Sequence, residues 1–353
     1  MVAKVGFHIP SLDGIRTFSF GLVFAAHAGL EYIVPGGFGV TVFFFLSGFL
    51  ITTLMRMELE KTGSVSLRKF YIRRALRILP PFYLVLGAAV VLTAAGVLQG
   101  TLSPPAVAAQ ALHYANFWIV SHGFGGIAPG TGVYWSLAVE EHFYLLFPLC
   151  YLVLQRVRLP GRRQAAVLLG LCALIFLWRC VLVLWLRVPS ERTYMASDTR
   201  FDSILFGCAL AVGGNPMFDP PHFSEAWWKR AFLPLGIAAL LATFLIRGPV
   251  FRETLRYSLQ GIGLVPVFVC AIRFPDWGPM RILNLRPVAF VGVISYSLYL
   301  IHQVLLYAVG NQLAGSHKIL VAAISLALAL GVAWTIQVCV ERPCARLRRR
   351  FSA

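Results

Sequence analysis

Acidic side chains are scarce in this chain: 14 Asp and Glu stand against 31 Lys and Arg in 353 residues. Charged residues of both signs make up 13%, about half the share near 25% that soluble domains carry. That shortage excludes a water-clothed globule of this size. The seven cysteines (Cys150, Cys172, Cys180, Cys208, Cys270, Cys339, Cys344) are odd in number and form no CxxC. Most lie inside apolar runs, so a zinc or disulfide framework is not expected. No repeat and no low-complexity tract stands out, which excludes a solenoid or a tail-like segment. The first apolar stretch is interrupted by Arg16 and lacks a small-residue cleavage site, so it is expected to remain as an anchor.

What the chain has instead is hydrocarbon: 58% hydrophobic residues and a mean hydropathy of +0.76. A membrane-spanning helix needs about 20 mainly apolar residues. Apolar runs of that kind fall at 17–34, 37–55, 78–98, 105–120, 134–155, 164–188, 201–214, 231–246, 257–272, 288–309 and 319–340. Two are weak: 105–120, which carries Gln110, His113 and Asn116, and the short 201–214. The net charge of +17 could suggest nucleic acid, but the basic residues cluster between apolar runs, as in cytoplasmic loops of membrane proteins. No nucleic-acid partner is expected; the lipid bilayer is.

Loop charge settles the layout. If 105–120 does not cross, 23 of the 31 basic residues fall on the cytoplasmic side, from Lys4 and Arg16 to Arg342–Arg350. If it does cross, 14 of those 23 move outside, which the positive-inside rule rejects. The expected fold class is therefore all-α: a polytopic membrane helix bundle of about ten crossings with both termini cytoplasmic. Residues 99–133 become one extracytoplasmic excursion, punctuated by Pro104-Pro105 and the glycine-rich run 123–132. Residues 1–353 read as a single membrane domain with no appended soluble domain.

Ionisable groups inside membrane helices are costly and usually face a cavity or the bundle interior. Arg16 and His27 lie eleven positions apart, about 16 Å along a helix and on nearly one face. Arg16 sits at the cytoplasmic surface, where snorkelling is an equal reading, and His27 in the outer half, where a helix–helix hydrogen bond would also serve. The run Trp135-Ser136-Leu137-Ala138-Val139-Glu140-Glu141-His142 places Glu140 in the outer half too. His302, some fourteen residues into its segment, completes an expected layer of three titratable groups at one depth. Such a layer suits general acid–base work or a proton relay in a transporter. Arg73, Arg74 and Arg77, in the loop after the second segment, could cradle phosphate or simply obey topology and touch anionic lipid.

Together these stretches resemble the acyltransferase-3 family of integral membrane O-acyltransferases. The matching pieces are Leu12-Asp13-Gly14-Ile15-Arg16 with His27, Phe44-Phe45-Leu46-Ser47-Gly48, Phe70-Tyr71-Ile72-Arg73-Arg74-Ala75-Leu76-Arg77, and Tyr134-Trp135-Ser136 through Glu141. Arg200-Phe201-Asp202, Ile294-Ser295-Tyr296-Ser297-Leu298-Tyr299-Leu300-Ile301-His302 and Glu341-Arg342-Pro343 follow in order. The resemblance implies transfer of an acyl group, acetyl by default, from acyl-CoA as co-substrate to a hydroxyl of a cell-surface glycan, glycolipid or related acceptor at the inner (plasma) membrane. No permanently bound cofactor and no metal is implied. It makes His27 the catalytic histidine, as base or acyl carrier, with Glu140 as a second catalytic group. It assigns Arg16, Arg73, Arg74 and Arg77 to the donor, and Asp13, Ser47, Trp135, Arg200, Asp202 and His302 to the substrate cavity. Asp13 is further expected to cap the first helix, and Ser47 is equally a close helix-packing position. The acceptor is expected between the 99–133 excursion and the Asp198/Arg200/Asp202 cluster. Without an appended domain, peptidoglycan is the less expected of the family's acceptors. The alternative from another class is a proton-coupled transporter or flippase.

Overall fold

The computed structural model describes residues 9–351, all of them helix or connecting turn, with no strand among them. Lys4, counted above with the cytoplasmic charge, lies outside the described residues. Ten longer helices carry the bundle: α1 (Pro10–Ala25), α2 (Gly36–Thr62), α3 (Leu67–Ala94), α4 (Tyr134–Arg156), α5 (Gly161–Cys180), α6 (Ser197–Gly213), α7 (Leu233–Leu245), α8 (Leu255–Arg273), α9 (Ser295–Gln312) and α10 (Lys318–Ile336). Seven of them, several lengthened by adjoining helical turns, are long and apolar enough to cross a membrane. An eighth crossing arises if the bent pair Arg286–Val293 and Ser295–Gln312, 74° apart, counts as one span. The remaining two of the ten expected crossings are α1 and α6, which are shorter; α1 runs on into a π-turn at Ala26–Leu30.

Several expected boundaries shift. The basic motif is helix, not loop: α3 begins at Leu67, where Ser66 accepts a hydrogen bond from the Lys69 amide at 3.4 Å, and continues through Pro80 and Pro81. The segment 105–120 forms two short helices, Pro104–Ala111 and Ala115–His122, broken at His113 with φ 58°. Its polar groups anchor the excursion. Gln110 Nε2 donates to Thr131 Oγ1 at 2.6 Å, and Asn116 Nδ2 to Ser197 Oγ at 2.9 Å. Neither bond would survive a straight apolar crossing.

A very close crossing joins α2 to α6. A Cβ at Gly48 would fall 2.0 Å from the Ile204 carbonyl oxygen, and one at Gly207 would fall 2.0 Å from that of Phe45. Only glycine permits this approach, which is how small residues drive membrane-helix association where lipid is as apolar as leucine. Both ends of the described chain meet at one end of the bundle. Arg73 Nη1 donates to the Phe351 carbonyl at 2.9 Å, and Arg16 and Arg348 both lie close enough to Arg77 to feel its charge.

Candidate active site

His27 lies in the π-turn that ends the first helix, a feature that often marks functional sites. Gly29, two residues on, has φ 100° and ψ 13°, a conformation other residues rarely adopt. This turn leaves the His27 side chain exposed, lining an open cleft of about 460 Å³ between α9 and α10. Its Nδ1 lies 3.0 Å from Nε2 of His302, which is fully buried, and His302 Nδ1 lies 2.8 Å from the Tyr299 carbonyl. A carbonyl only accepts, so His302 Nδ1 carries the proton and its Nε2 accepts. His27 Nδ1 must then donate, and His27 Nε2 is left as the free, basic nitrogen. Phe20 stands edge-on to the His302 ring at 5.7 Å and holds it in place.

Glu140 does not join this pair. Ser136 Oγ and Tyr299 Oη meet at 2.7 Å and pin α4 against α9. His302 is three residues outward from that rung and Glu140 four residues inward, an axial offset of about 10 Å. The expected single layer is therefore corrected to two, because depth counted from approximate segment ends ignored this register. Glu140 accepts from Tyr144 Oη at 3.3 Å, and Tyr144 Oη is also hydrogen-bonded to Ser47 Oγ. The Arg74 guanidinium stands 5.0 Å from the Tyr144 ring, and the charges of Arg74 and Arg77 both act on Glu140. Arg16 is ion-paired with Asp13 at the same end. The N-cap position of α1 is Ile9, and Asp13 lies within the first turn of the helix. Glu341 accepts from Ser297 Oγ at 2.5 Å beside Arg77 and Arg348. Arg73 stands apart from its two neighbours, paired with buried Glu58 at 2.6 Å.

Two members of the expected substrate cluster on α6, Arg200 and Asp202, are closed, whereas Asp198, ion-paired with Arg192 at 2.5 Å, stays partly exposed. Asp202 and Arg179 form an ion pair at 2.7 Å with both side chains at 0% exposure. Arg200, also at 0% exposure, is caged by Tyr257, Phe44, Tyr194 and Trp135, with ring centroids 4.2 to 5.8 Å from the guanidinium. It donates to the Tyr194 carbonyl at 2.9 Å and to Thr41 Oγ1 at 3.0 Å. Stacked π faces take the place of a carboxylate partner. Neither Arg200, Asp202 nor Trp135 lines the cleft at His27.

A family model described as an acyltransferase domain matches residues 9–338. The chain belongs to the acyltransferase-3 family. It is 31% identical over 312 residues to the peptidoglycan O-acetyltransferase OatA of Listeria monocytogenes, covering 84% of this chain and 49% of that protein. It is 29% identical to the O-acetyltransferase OatA of Staphylococcus aureus, over 84% of this chain and 50% of the relative. The putative peptidoglycan O-acetyltransferase YrhL of Bacillus subtilis is likewise 29% identical, over 84% and 48%. The chain thus spans about half the length of the curated relatives it matches. No solved structure matches it. Peptidoglycan, the acceptor the sequence reading disfavoured, is the one that two of these names carry.

In this member of the family, residue typing overlooked Tyr144, Tyr299, Gln303, Tyr307, Asn311 and Lys318. Tyr144 lies one turn from Glu140 and Tyr299 one turn from His302, so helical spacing from a chosen site residue would have found both. The other four look like ordinary decoration of a helix end until the cleft is seen.

Proposed function

We propose that this protein is an inner-membrane O-acetyltransferase that takes acetyl from acetyl-CoA at the basic end of the bundle. It delivers the group to a hydroxyl of an extracytoplasmic glycan at the opposite end. Arg16, Arg74, Arg77 and Arg348 draw the diphosphate and ribose phosphate of the donor, as forked guanidiniums suit phosphate oxygens. Arg73 orders this surface through Glu58 rather than touching the donor. The pantetheine arm then runs along α1 toward His27, about 16 Å from Arg16.

His27 Nε2 accepts the proton of the attacking hydroxyl while the hydroxyl oxygen forms a bond to the thioester carbonyl. Collapse breaks the carbon–sulfur bond, and the proton passes from the imidazolium to the departing thiolate. The products are an O-acetyl ester and free CoA. The same nitrogen could carry the acetyl group in a two-step route. His302 positions the base, and the emerging charge on His27 is shared through its Nδ1–H with His302. The observation that carries this reading is an exposed imidazole whose Nδ1 is occupied by a buried partner and whose Nε2 is left free. Reconstituted protein given radiolabelled acetyl-CoA and envelope glycan should release CoA and label the glycan in equal amounts. Movement of solute with no consumption of acetyl-CoA would make it a transporter instead.

A further inference from the structure

The cleft at His27 is built for more than access. Gln303, Tyr307 and Asn311 recur every fourth residue along α9 and therefore form one stripe, and all three line the cleft. Gln303 Oε1 and Asn311 Nδ2 are both buried atoms with no hydrogen-bond partner. One is an acceptor and the other a donor, and a hydroxyl group satisfies either. Leaving such atoms unpaired is costly, so their presence points to a polar occupant. Tyr307, between them, exposes about half its surface and offers a ring face for a sugar to lie on. Lys318, the first residue of α10, also lines the cleft. A Cβ on Gly29 would lie 3.8 Å from its Nζ, which puts the ammonium over the turn that carries His27. No ion pair of Lys318 occurs among the described residues.

Resting on the reading of His27 as the base, we infer that this cleft is the acceptor site, and that it takes an extended polyhydroxylated chain bearing an acidic group. The acceptor threads between α9 and α10, with a sugar on Tyr307 and hydroxyls on Gln303 and Asn311. These two amides stand about 12 Å apart along the helix, so the recognised unit is longer than one hydroxyl-bearing carbon. Lys318 holds the anionic group beside the reacting hydroxyl. This route replaces the one expected past Arg200 and Asp202.

The test expresses variants in a deletion strain of the source organism and measures alkali-released acetate from its envelope glycans, so that the native acceptor is used. Acetyl-CoA binding by each purified variant is measured in lipid nanodiscs. Lys318→Arg should retain acetylation, and Lys318→Glu should lower it by about tenfold or more. Gly310→Trp should abolish acetylation. Gly310 lines the cleft, and a Cβ there meets only Val321 at 4.0 Å, so the new side chain occupies the cleft without displacing backbone. Donor binding should stay unchanged in all three. Wild-type acetylation in both Lys318→Glu and Gly310→Trp would overturn the inference, as would a fall in acetyl-CoA binding that matches the fall in transfer. The reading of His27 fails separately, if His27→Ala still acetylates or if the wild-type gene restores no acetate.

Discussion

Removing the carboxylate of Asp202 should cost the fold rather than the chemistry. Arg179 sits at 0% exposure and places its guanidinium on four acceptors. Nε donates to the Thr254 carbonyl at 3.1 Å and Nη1 to the Thr199 carbonyl at 2.6 Å, while Nη2 donates to Asp202 Oδ2 and Ser258 Oγ, each at 2.7 Å. Asp202 is equally occupied, accepting from its neighbour's amide, Ser203 N, at 2.8 Å and from Ser258 Oγ at 3.1 Å. Asp202→Ala deletes the one negative charge that pairs, among the described residues, with a cation held away from water and lipid headgroups. Breaking such a pair by removing one partner costs about 3–5 kcal/mol. Asp202→Asn keeps the shape and one acceptor, so it should fall between wild type and Asp202→Ala. Replacing both partners by apolar groups, Arg179→Met with Asp202→Leu, should recover much of the loss, because no uncompensated charge remains. The assay is the thermal midpoint and yield of purified protein in detergent, with acetyl-CoA binding measured on what folds. If Asp202→Ala kept the wild-type midpoint and donor binding but lost transfer, Asp202 would be a substrate residue and the pair would not be structural.

Four further outcomes follow from the same geometry. His302→Phe keeps a buried ring but removes the acceptor for His27 Nδ1, so kcat should drop about 10- to 100-fold with little change in the KM for acetyl-CoA; an equal rise in KM would place His302 on the donor instead. Arg77→Ala should raise the KM for acetyl-CoA about tenfold. Arg73→Ala, which strands buried Glu58, should instead lower the thermal midpoint, and steady-state kinetics beside thermal unfolding separates the two. In the 99–133 excursion, burial pushes His113 down to about 4, with the nearby His142 adding to the effect. Its ring packs against that of Phe82, centroids 4.4 Å apart and tilted by 31°. The unfolded chain binds this proton near pH 6.5, and the folded one only near pH 4. The stabilisation from His113 is therefore complete above about pH 6.5 and is lost as pH falls toward 4. A thermal midpoint measured across that range should decline less steeply in His113→Phe than in wild type.

Much of the bundle was legible because hydrocarbon thickness and loop charge constrain it. Charge asymmetry argued against a straight crossing at 105–120, and the structure has two short helices there, tied down by the bonds of Gln110 and Asn116. The nearness of His27 and His302 was also readable from residue counts along the two segments, and their ring nitrogens meet at 3.0 Å. Glu140 went astray because the register of α4 against α9 depends on one side-chain contact, Ser136 with Tyr299, which no periodicity encodes. Arg200 and Asp202 misled for a different reason. A charged pair of residues in one motif suggests a polar surface, yet Arg179 and three of the four aromatic rings that enclose Arg200, namely Phe44, Trp135 and Tyr257, come from other stretches of chain. The acceptor cleft was the least visible part. Gln303 and Asn311 matter for bonds they leave unmade, and an unmade bond leaves no trace in composition or spacing.

The central claim is that His27 Nε2 is the group through which acetyl transfer passes. The direct measurement uses the protein in nanodiscs, comparing wild type with His27→Ala for acetyl-CoA affinity and for acetyl deposited on envelope glycan. The account predicts unchanged donor affinity and a loss of transfer of about 10²-fold or more. Transfer at the wild-type rate in His27→Ala would contradict it.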